Sequence, residues 1–155
     1  MAFSGLGMAH LQGDTPPPAC KLVYQDGKPA PDWLHMKGQV IYIDFWASWC
    51  PPCVKSFPFM NRLVQEFAGR GLWVVGVNLD EKLNDAEQFL ANNSTDFTVL
   101  LDMDKHCAAD FGVIAMPSTY IIDKKGYVRH IHHGFREGET QALRDVVEAL
   151  LAESN

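Results

Sequence analysis

Asp44-Phe45-Trp46-Ala47-Ser48-Trp49-Cys50-Pro51-Pro52-Cys53 decides how this chain is read. The stretch completes an apolar, β-branched run, Val40-Ile41-Tyr42-Ile43-Asp44-Phe45-Trp46, of strand character with a single carboxylate inside it. From Pro51 onward the pattern is helical. Proline in a first helical turn loses no needed hydrogen bond, Phe57, Met60, Leu63, Val64 and Phe67 recur at helical spacing, and Gly69 and Gly71 end the run. Cys50 therefore falls at a helix N-terminus. Unpaired N–H groups and the macrodipole there favour a thiolate, which can bring a cysteine pKa from about 8.5 to roughly 3.5–7.5.

Two cysteines at this spacing divide the work of disulfide exchange. Cys50, at the turn, is the expected exposed nucleophile that opens a substrate disulfide; Cys53, one helical turn on, is placed to resolve the mixed disulfide. The competing readings are a zinc knuckle and a static disulfide. Zinc wants a second ligand pair, yet Cys20 and Cys107 stand apart, with only His106 adjacent to the latter. Two prolines between the cysteines of a strand-to-helix junction fit a reversible pair better than a permanent bridge.

These residues resemble the thioredoxin superfamily. The resemblance rests on Asp44 to Cys53, Pro58 five residues past the second cysteine, Met116-Pro117-Ser118 before an apolar strand, and Gly134 before the last helix. Within the superfamily, the chain is similar to the TlpA/ResA/DsbE-like thiol-disulfide oxidoreductases. That similarity is carried by Ala30-Pro31-Asp32-Trp33, Ser56-Phe57-Pro58-Phe59-Met60 and an insert between Asp80 and Phe111. It covers roughly residues 29–151. It implies an α/β, thioredoxin-like fold: a central mixed sheet flanked by helices, with a β-α insert between the third core strand and the strand of the cis-proline. The implied activity is reduction of protein disulfides, with no cofactor beyond the Cys50–Cys53 pair. The implied partners are protein disulfide substrates and a membrane dithiol donor of the DsbD or CcdA kind. Clients would be apocytochrome c or a copper-site protein.

Departures from the family pattern matter. Ser56 stands where much of the group has glutamate, so Asp44 is the candidate proton acceptor for Cys53; it occupies the place of the buried aspartate of ordinary thioredoxins. The lysine that accompanies that aspartate matches Gly76, leaving the carboxylate without a cation, and burial would raise its pKa. A solvated Asp44 at a strand edge is the alternative. Met116-Pro117 resembles the cis-proline loop, and the resemblance implies a cis bond whose neighbouring backbone pairs with a substrate segment. Trp49 and Pro51 complete the expected substrate-binding set with Met116 and Pro117.

At 155 residues, 47% hydrophobic and 21% charged, the chain has the composition of one globular domain. Its net charge of −6 argues against nucleic acid or an anionic membrane as partner. The pattern predicts strands over 40–46, 72–78, 98–102, 118–123 and 127–133, and helices over 51–68, 85–92, 105–111 and 139–153. Residues 1–28 read as an extension, with a polyproline linker at Asp14-Thr15-Pro16-Pro17-Pro18, ahead of a domain over residues 29–152. No secretion signal or membrane span is legible, whereas the resembling group works in the periplasm or is otherwise extracytoplasmic. Members of that group reach the periplasm by a signal or an N-terminal anchor, so a trimmed chain is the expectation over a cytosolic protein.

Cys107 is expected to be a buried free thiol. Cys20 is left open between a free thiol, a pair for Cys107 and an intermolecular link. His130 and His132 share a strand face, with His133 beside them; a solvated edge strand is expected there rather than a metal site. Trp33, Trp73 and Phe135 are candidates for an apolar docking surface, and a monomer is expected. The alternatives to a reductase are a DsbA-like disulfide donor and a copper chaperone using the two motif cysteines.

Overall fold

A computed structural model describes residues 15–155. Residues 1–14, part of the expected extension, lie outside the described residues.

The strand run before the motif forms β1 (Val40–Trp46), every residue of it buried. It pairs in parallel with β2 (Leu72–Asn78), which pairs in parallel with β3 (Thr98–Leu101). On its other side β1 pairs antiparallel with β4 (Ser118–Ile122), and β4 with β5 (Val128–His133). Among the described residues the sheet is thus mixed, in the order β3-β2-β1-β4-β5.

A sheet buried on both faces needs apolar side chains at odd and even positions alike. Val40, Tyr42 and Trp46 face one way, against α1 (Pro51–Phe67) and α4 (Thr140–Ala152), in a core that includes Cys53, Phe57, Met60, Leu63, Val147 and Leu150. Ile41, Ile43 and Phe45 face the other way, against Trp33, Tyr120 and the residues Cys107, Ala108 and Phe111 of α3 (His106–Phe111). Each large side chain fully buried in these layers contributes about 1.5–3 kcal/mol. The period of two puts Asp44 on the α1 face, with Tyr42 and Trp46. That register, set by the hydrophobic alternation, places the carboxylate behind the dithiol.

The insert between β2 and β4 comprises α2 (Leu83–Asn92), β3 and α3. α3 starts one residue later than the pattern predicts because Lys105 adopts φ +64°, outside helical space. β3 stops short of Asp102, whose carboxylate instead accepts the N–H groups of Cys107 and Ala108 at 3.3 and 2.8 Å. α4 follows a 3-10 turn at Glu137–Glu139.

The proline-rich segment runs across the α3 face of the sheet. Thr15 bridges Val128 on β5, Val23 bridges Leu101 on β3, and Leu22 is buried between those edges. Trp33 is buried as well, its indole donating to Pro18 O at 3.0 Å, so it contributes to the core rather than to the docking surface expected of it. Cys107 is not a free thiol: it is disulfide-bonded to Cys20, across 87 residues of sequence. Of the three states left open for Cys20, the structure holds the pair with Cys107; the sequence does not select it because nothing local shows that the extension folds back over α3.

Candidate active site

Cys50 is the N-cap residue of α1 and is joined to Cys53 by a disulfide. Cys50 is 4% exposed and Cys53 fully buried. The sequence reading expected an exposed Cys50. Instead Cys50 lines a cleft of about 430 Å³ together with Trp49, Pro51, Pro52, Leu79, Ala108 and the run Val113–Met116. Trp49 and Ile114 stand at its rim, 67% and 75% exposed. They, rather than Trp33, Trp73 and Phe135, form the exposed apolar surface beside the dithiol; Trp73 donates to Thr98 Oγ1 and Phe135 packs on Phe59.

The first turn of α1 offers Cys50 fewer donors than its position suggests. Pro51 and Pro52 carry no N–H, and the Cys53 N–H donates to Cys50 O at 3.1 Å. The free donors invoked from the sequence are therefore absent from this turn, and the macrodipole is what remains to favour a thiolate.

The Met116–Pro117 peptide bond is cis. Met116 lines the cleft with Cys50, while Gly134 N donates to Pro117 O at 2.7 Å and ties the loop to the end of β5. Ser118 Oγ donates to Ala115 O at 2.5 Å and lies 3.2 Å from His133 Nδ1.

Asp44 is 1% exposed, which removes the solvated-edge reading. It pairs across the sheet with Gly76, where an added Cβ would lie 2.8 Å from the Phe97 ring and 3.1 Å from Trp46 Nε1; aromatic rings fill the place a lysine would need. The carboxylate does have partners. Thr119 Oγ1 donates to Oδ1 at 3.1 Å, and Ser56 Oγ lies 3.4 Å from Oδ2 while donating to Cys53 O at 2.9 Å. Desolvation outweighs both hydroxyls and pushes the Asp44 carboxyl up to about 7. Burial, aided by the charge of Asp44, also raises Tyr42, two residues earlier on the same face.

The structure thus brings Trp49, Cys50, Pro51 and Met116 together on one cleft, with Pro117 in the loop behind Met116 and Asp44 behind Cys53. Sequence reasoning missed Thr119 and Ser56 as carboxylate partners. Thr119 was detectable only by pairing β4 with β1 in register. Ser56 lies one turn after Cys53, a spacing that could have shown it.

Of the β5 histidines, His133 pairs with Ser118 beside the cis-proline, while His130 and His132 lie farther along the strand. The rings of His130 and His132 stack at 6.3 Å, and His132 Nε2 lies 2.6 Å from Glu139 Oε2. Among the described residues no group of three His, Cys, Asp or Glu side chains is placed to hold a metal ion.

Residues 11–150 match the Redoxin family. The chain is 35% identical over 125 residues to the thioredoxin-like protein YneN of Bacillus subtilis, covering 71% of this chain and 72% of that protein. It is 32% identical over 93 residues to the Bacillus subtilis thiol-disulfide oxidoreductase ResA, covering 60% of this chain but 52% of that one. The chain thus spans about half the length of that ResA. Among solved structures, a Chlorobium tepidum protein described as a thiol:disulfide interchange protein DsbE superposes with a TM-score of 0.85 at 38% identity, over 90% of this chain and 97% of that one. The mixed sheet, its flanking helices and the cis-proline loop are therefore those of a thioredoxin-like fold. With its sequence matched almost end to end and its architecture shared with such a neighbour, the chain belongs to the Redoxin family.

Proposed function

We propose that the protein is a thiol-disulfide oxidoreductase that reduces disulfides of other proteins. One observation carries the reading: a Cys50–Cys53 disulfide at the start of α1 opens on an apolar cleft walled by Met116 of the cis-proline loop, with a buried protonatable carboxylate behind it.

In the reduced enzyme, the Cys50 thiolate attacks one sulfur of the substrate disulfide. A Cys50–substrate bond forms, and the other substrate sulfur leaves as a thiolate. The substrate segment lies along Met116–Pro117 as an added strand, with Trp49 and Pro51 on the facing wall. Cys53 then gives its proton to Asp44, whose carboxyl near 7 is partly ionised at neutral pH. The Cys53 thiolate attacks Cys50, the second substrate sulfur departs, and two electrons have passed from enzyme to substrate. The chain's own sulfurs suffice for this cycle, with no other cofactor. A second dithiol returns the enzyme to its reduced form; the family resemblance suggests a membrane donor of the DsbD or CcdA kind.

The first turn of α1 supports the reducing direction. Groups that stabilise the Cys50 thiolate make a dithiol pair more oxidising, and Pro51 and Pro52 withhold two such donors. A reductant is favoured over a DsbA-like donor. An extracytoplasmic setting is supported by the Cys20–Cys107 bridge, a bond that persists in oxidising compartments. Among the described residues no helix is long and apolar enough to cross a membrane. Apocytochrome c or a copper-site protein as client, and a monomeric state, remain part of the proposal on the strength of the resemblance.

Trapping tests the reading. Cys53→Ser, mixed with a disulfide-containing protein, should accumulate a covalent adduct through Cys50 that dithiothreitol dissolves, and Cys50→Ser should form none. An adduct in neither variant, or in both equally, would contradict the assignment.

A further inference from the structure

Ser48 precedes Cys50 by two residues, in the loop between β1 and α1, and all its hydrogen-bond donors are taken by one side chain. The Ser48 N–H lies 3.2 and 3.0 Å from the two carboxylate oxygens of Asp80, and Ser48 Oγ donates to Oδ1 at 2.7 Å. Asp80 is buried, 7% exposed, in the loop after β2. Asn78, on the last position of β2, holds it from behind: Asn78 Nδ2 donates to Asp80 Oδ2 at 2.7 Å, and the Asp80 N–H donates to Asn78 Oδ1 at 3.0 Å.

A third loop joins the same hub. Lys105 Nζ donates to Asp80 O and to Asp102 O, each at 3.1 Å. Lys105 is the one non-glycine residue at positive φ among the described residues, a conformation that persists only where its surroundings fix it. The loops that follow β1, β2 and β3 are thereby tied together at one end of the sheet, the carboxyl end of its three parallel strands. Leu79, next to Asp80, donates its N–H to Trp46 O at 2.8 Å and lines the cleft with Trp49 and Cys50.

We infer that Asp80 is a positioning residue for the nucleophile: by taking every donor of Ser48 it fixes the turn that presents Trp49 and Cys50 to the cleft. The inference rests on the exchange activity proposed above. A carboxylate is required because three donors converge on it. An amide of the same size has one acceptor oxygen, and its NH₂ would face another donor.

The test is Asp80→Asn, Ser48→Ala and their combination, assayed for reduction of a disulfide-containing protein. The turn governs encounter and the first attack, whereas resolution belongs to Cys53 on α1. Asp80→Asn should therefore lower kcat/KM by about three- to tenfold, carried by KM, with kcat held within about twofold. Ser48→Ala, which keeps its backbone N–H, should give a smaller loss of the same kind. The double variant should fall no further than Asp80→Asn alone, because both remove one interaction. Asp123→Asn is the control. Asp123 is a buried carboxylate accepting from Lys125 N, Tyr127 N and Arg129, just past Ile122, which pairs with Ile41 at the opposite end of β1 from Cys50. It should lower stability and leave KM unchanged.

Wild-type KM in folded Asp80→Asn, or losses in the double variant that simply multiply, would overturn the inference. If Asp80→Asn does not fold, Ser48→Ala decides by itself: an unchanged KM overturns it. A wild-type protein that reduces no disulfide would instead sink the proposed activity, a distinct result.

Discussion

Thr119 Oγ1 donates a hydrogen bond to Asp44 Oδ1 over 3.1 Å, tying the strand that leaves the cis Met116–Pro117 bond to the carboxylate behind Cys53. The two residues face each other in the β1–β4 register, so the bond follows from strand pairing. A hydroxyl lowers the carboxyl pKa, yet burial dominates and the value stands at about 7 against an ordinary 3.8.

That shift sets a dependence of stability on pH. A carboxyl whose folded pKa is raised holds its proton more tightly in the folded state, so its favourable contribution is complete below about 3.8 and is lost as pH rises to about 7. Above that it is constant. Asp44→Asn cannot ionise and escapes the loss. The variant should exceed the wild type in stability at pH 8, by up to on the order of 4 kcal/mol at 1.36 kcal/mol per unit, and differ little at pH 4. Denaturant midpoints at the two pH values measure it; the same difference at both would contradict an ionisation origin.

The kinetic counterpart separates the two exchange steps. Asp44→Asn should slow resolution of the mixed disulfide by about ten- to a hundredfold and leave the first attack by Cys50 nearly unchanged. In the wild type the resolution rate should rise with pH through a midpoint near 7, as the carboxylate becomes able to accept a proton, and the variant should lack that step. Stopped-flow measurement with a quenched disulfide substrate resolves both phases. Equal slowing of the two would remove the proton-acceptor role.

How much of this was legible in the sequence varies with the range of the interaction. Val40–Trp46 and Leu72–Asn78 were read to the residue, because a run buried on both faces ends where its apolar residues end. The starts of α3 and α4 were misplaced by one residue, since they depend on the backbone of Lys105 and on a 3-10 turn, for which hydrophobic spacing gives no signal. The two cysteines and the proline loop were visible as local motifs. Thr119, Asp80 and the Cys20–Cys107 bridge join segments 75, 32 and 87 residues apart, and one sequence holds no local trace of such pairings.

Gly76 tests the tight packing beside Asp44. A Cβ there would meet the Phe97 ring at 2.8 Å, and Phe97 is itself packed edge-on against Phe57 at 4.9 Å, so it has little room to give. Gly76→Ala should destabilise the fold by about 1–3 kcal/mol, read as a lower urea midpoint with an unchanged slope. A neutral or stabilising result would show that the ring can shift.

The Cys20–Cys107 bridge closes a loop of most of the chain. In the chain-entropy account, removing a bridge of this span costs about 4–5 kcal/mol. The double variant Cys20→Ser, Cys107→Ser should lose stability on that order in denaturant titration while keeping the reduction potential of Cys50–Cys53. A shifted potential would mean that the bridge shapes the dithiol through α3 rather than only holding the strap across the sheet.

The direction of electron flow is the centre of the account, and the reduction potential of the Cys50–Cys53 pair addresses it most directly. Equilibrating the protein against defined dithiol buffers and counting thiols by alkylation gives the value, with Cys20→Ser, Cys107→Ser as background to silence the second bridge. Reference dithiols run from about −270 mV for thioredoxin to about −120 mV for a strong oxidant. With Pro51 and Pro52 withholding donors from the Cys50 thiolate, the account predicts a value near or below the thioredoxin end. A value near the oxidant end would mean that the dithiol form is strongly stabilised, and would make the protein a disulfide donor instead.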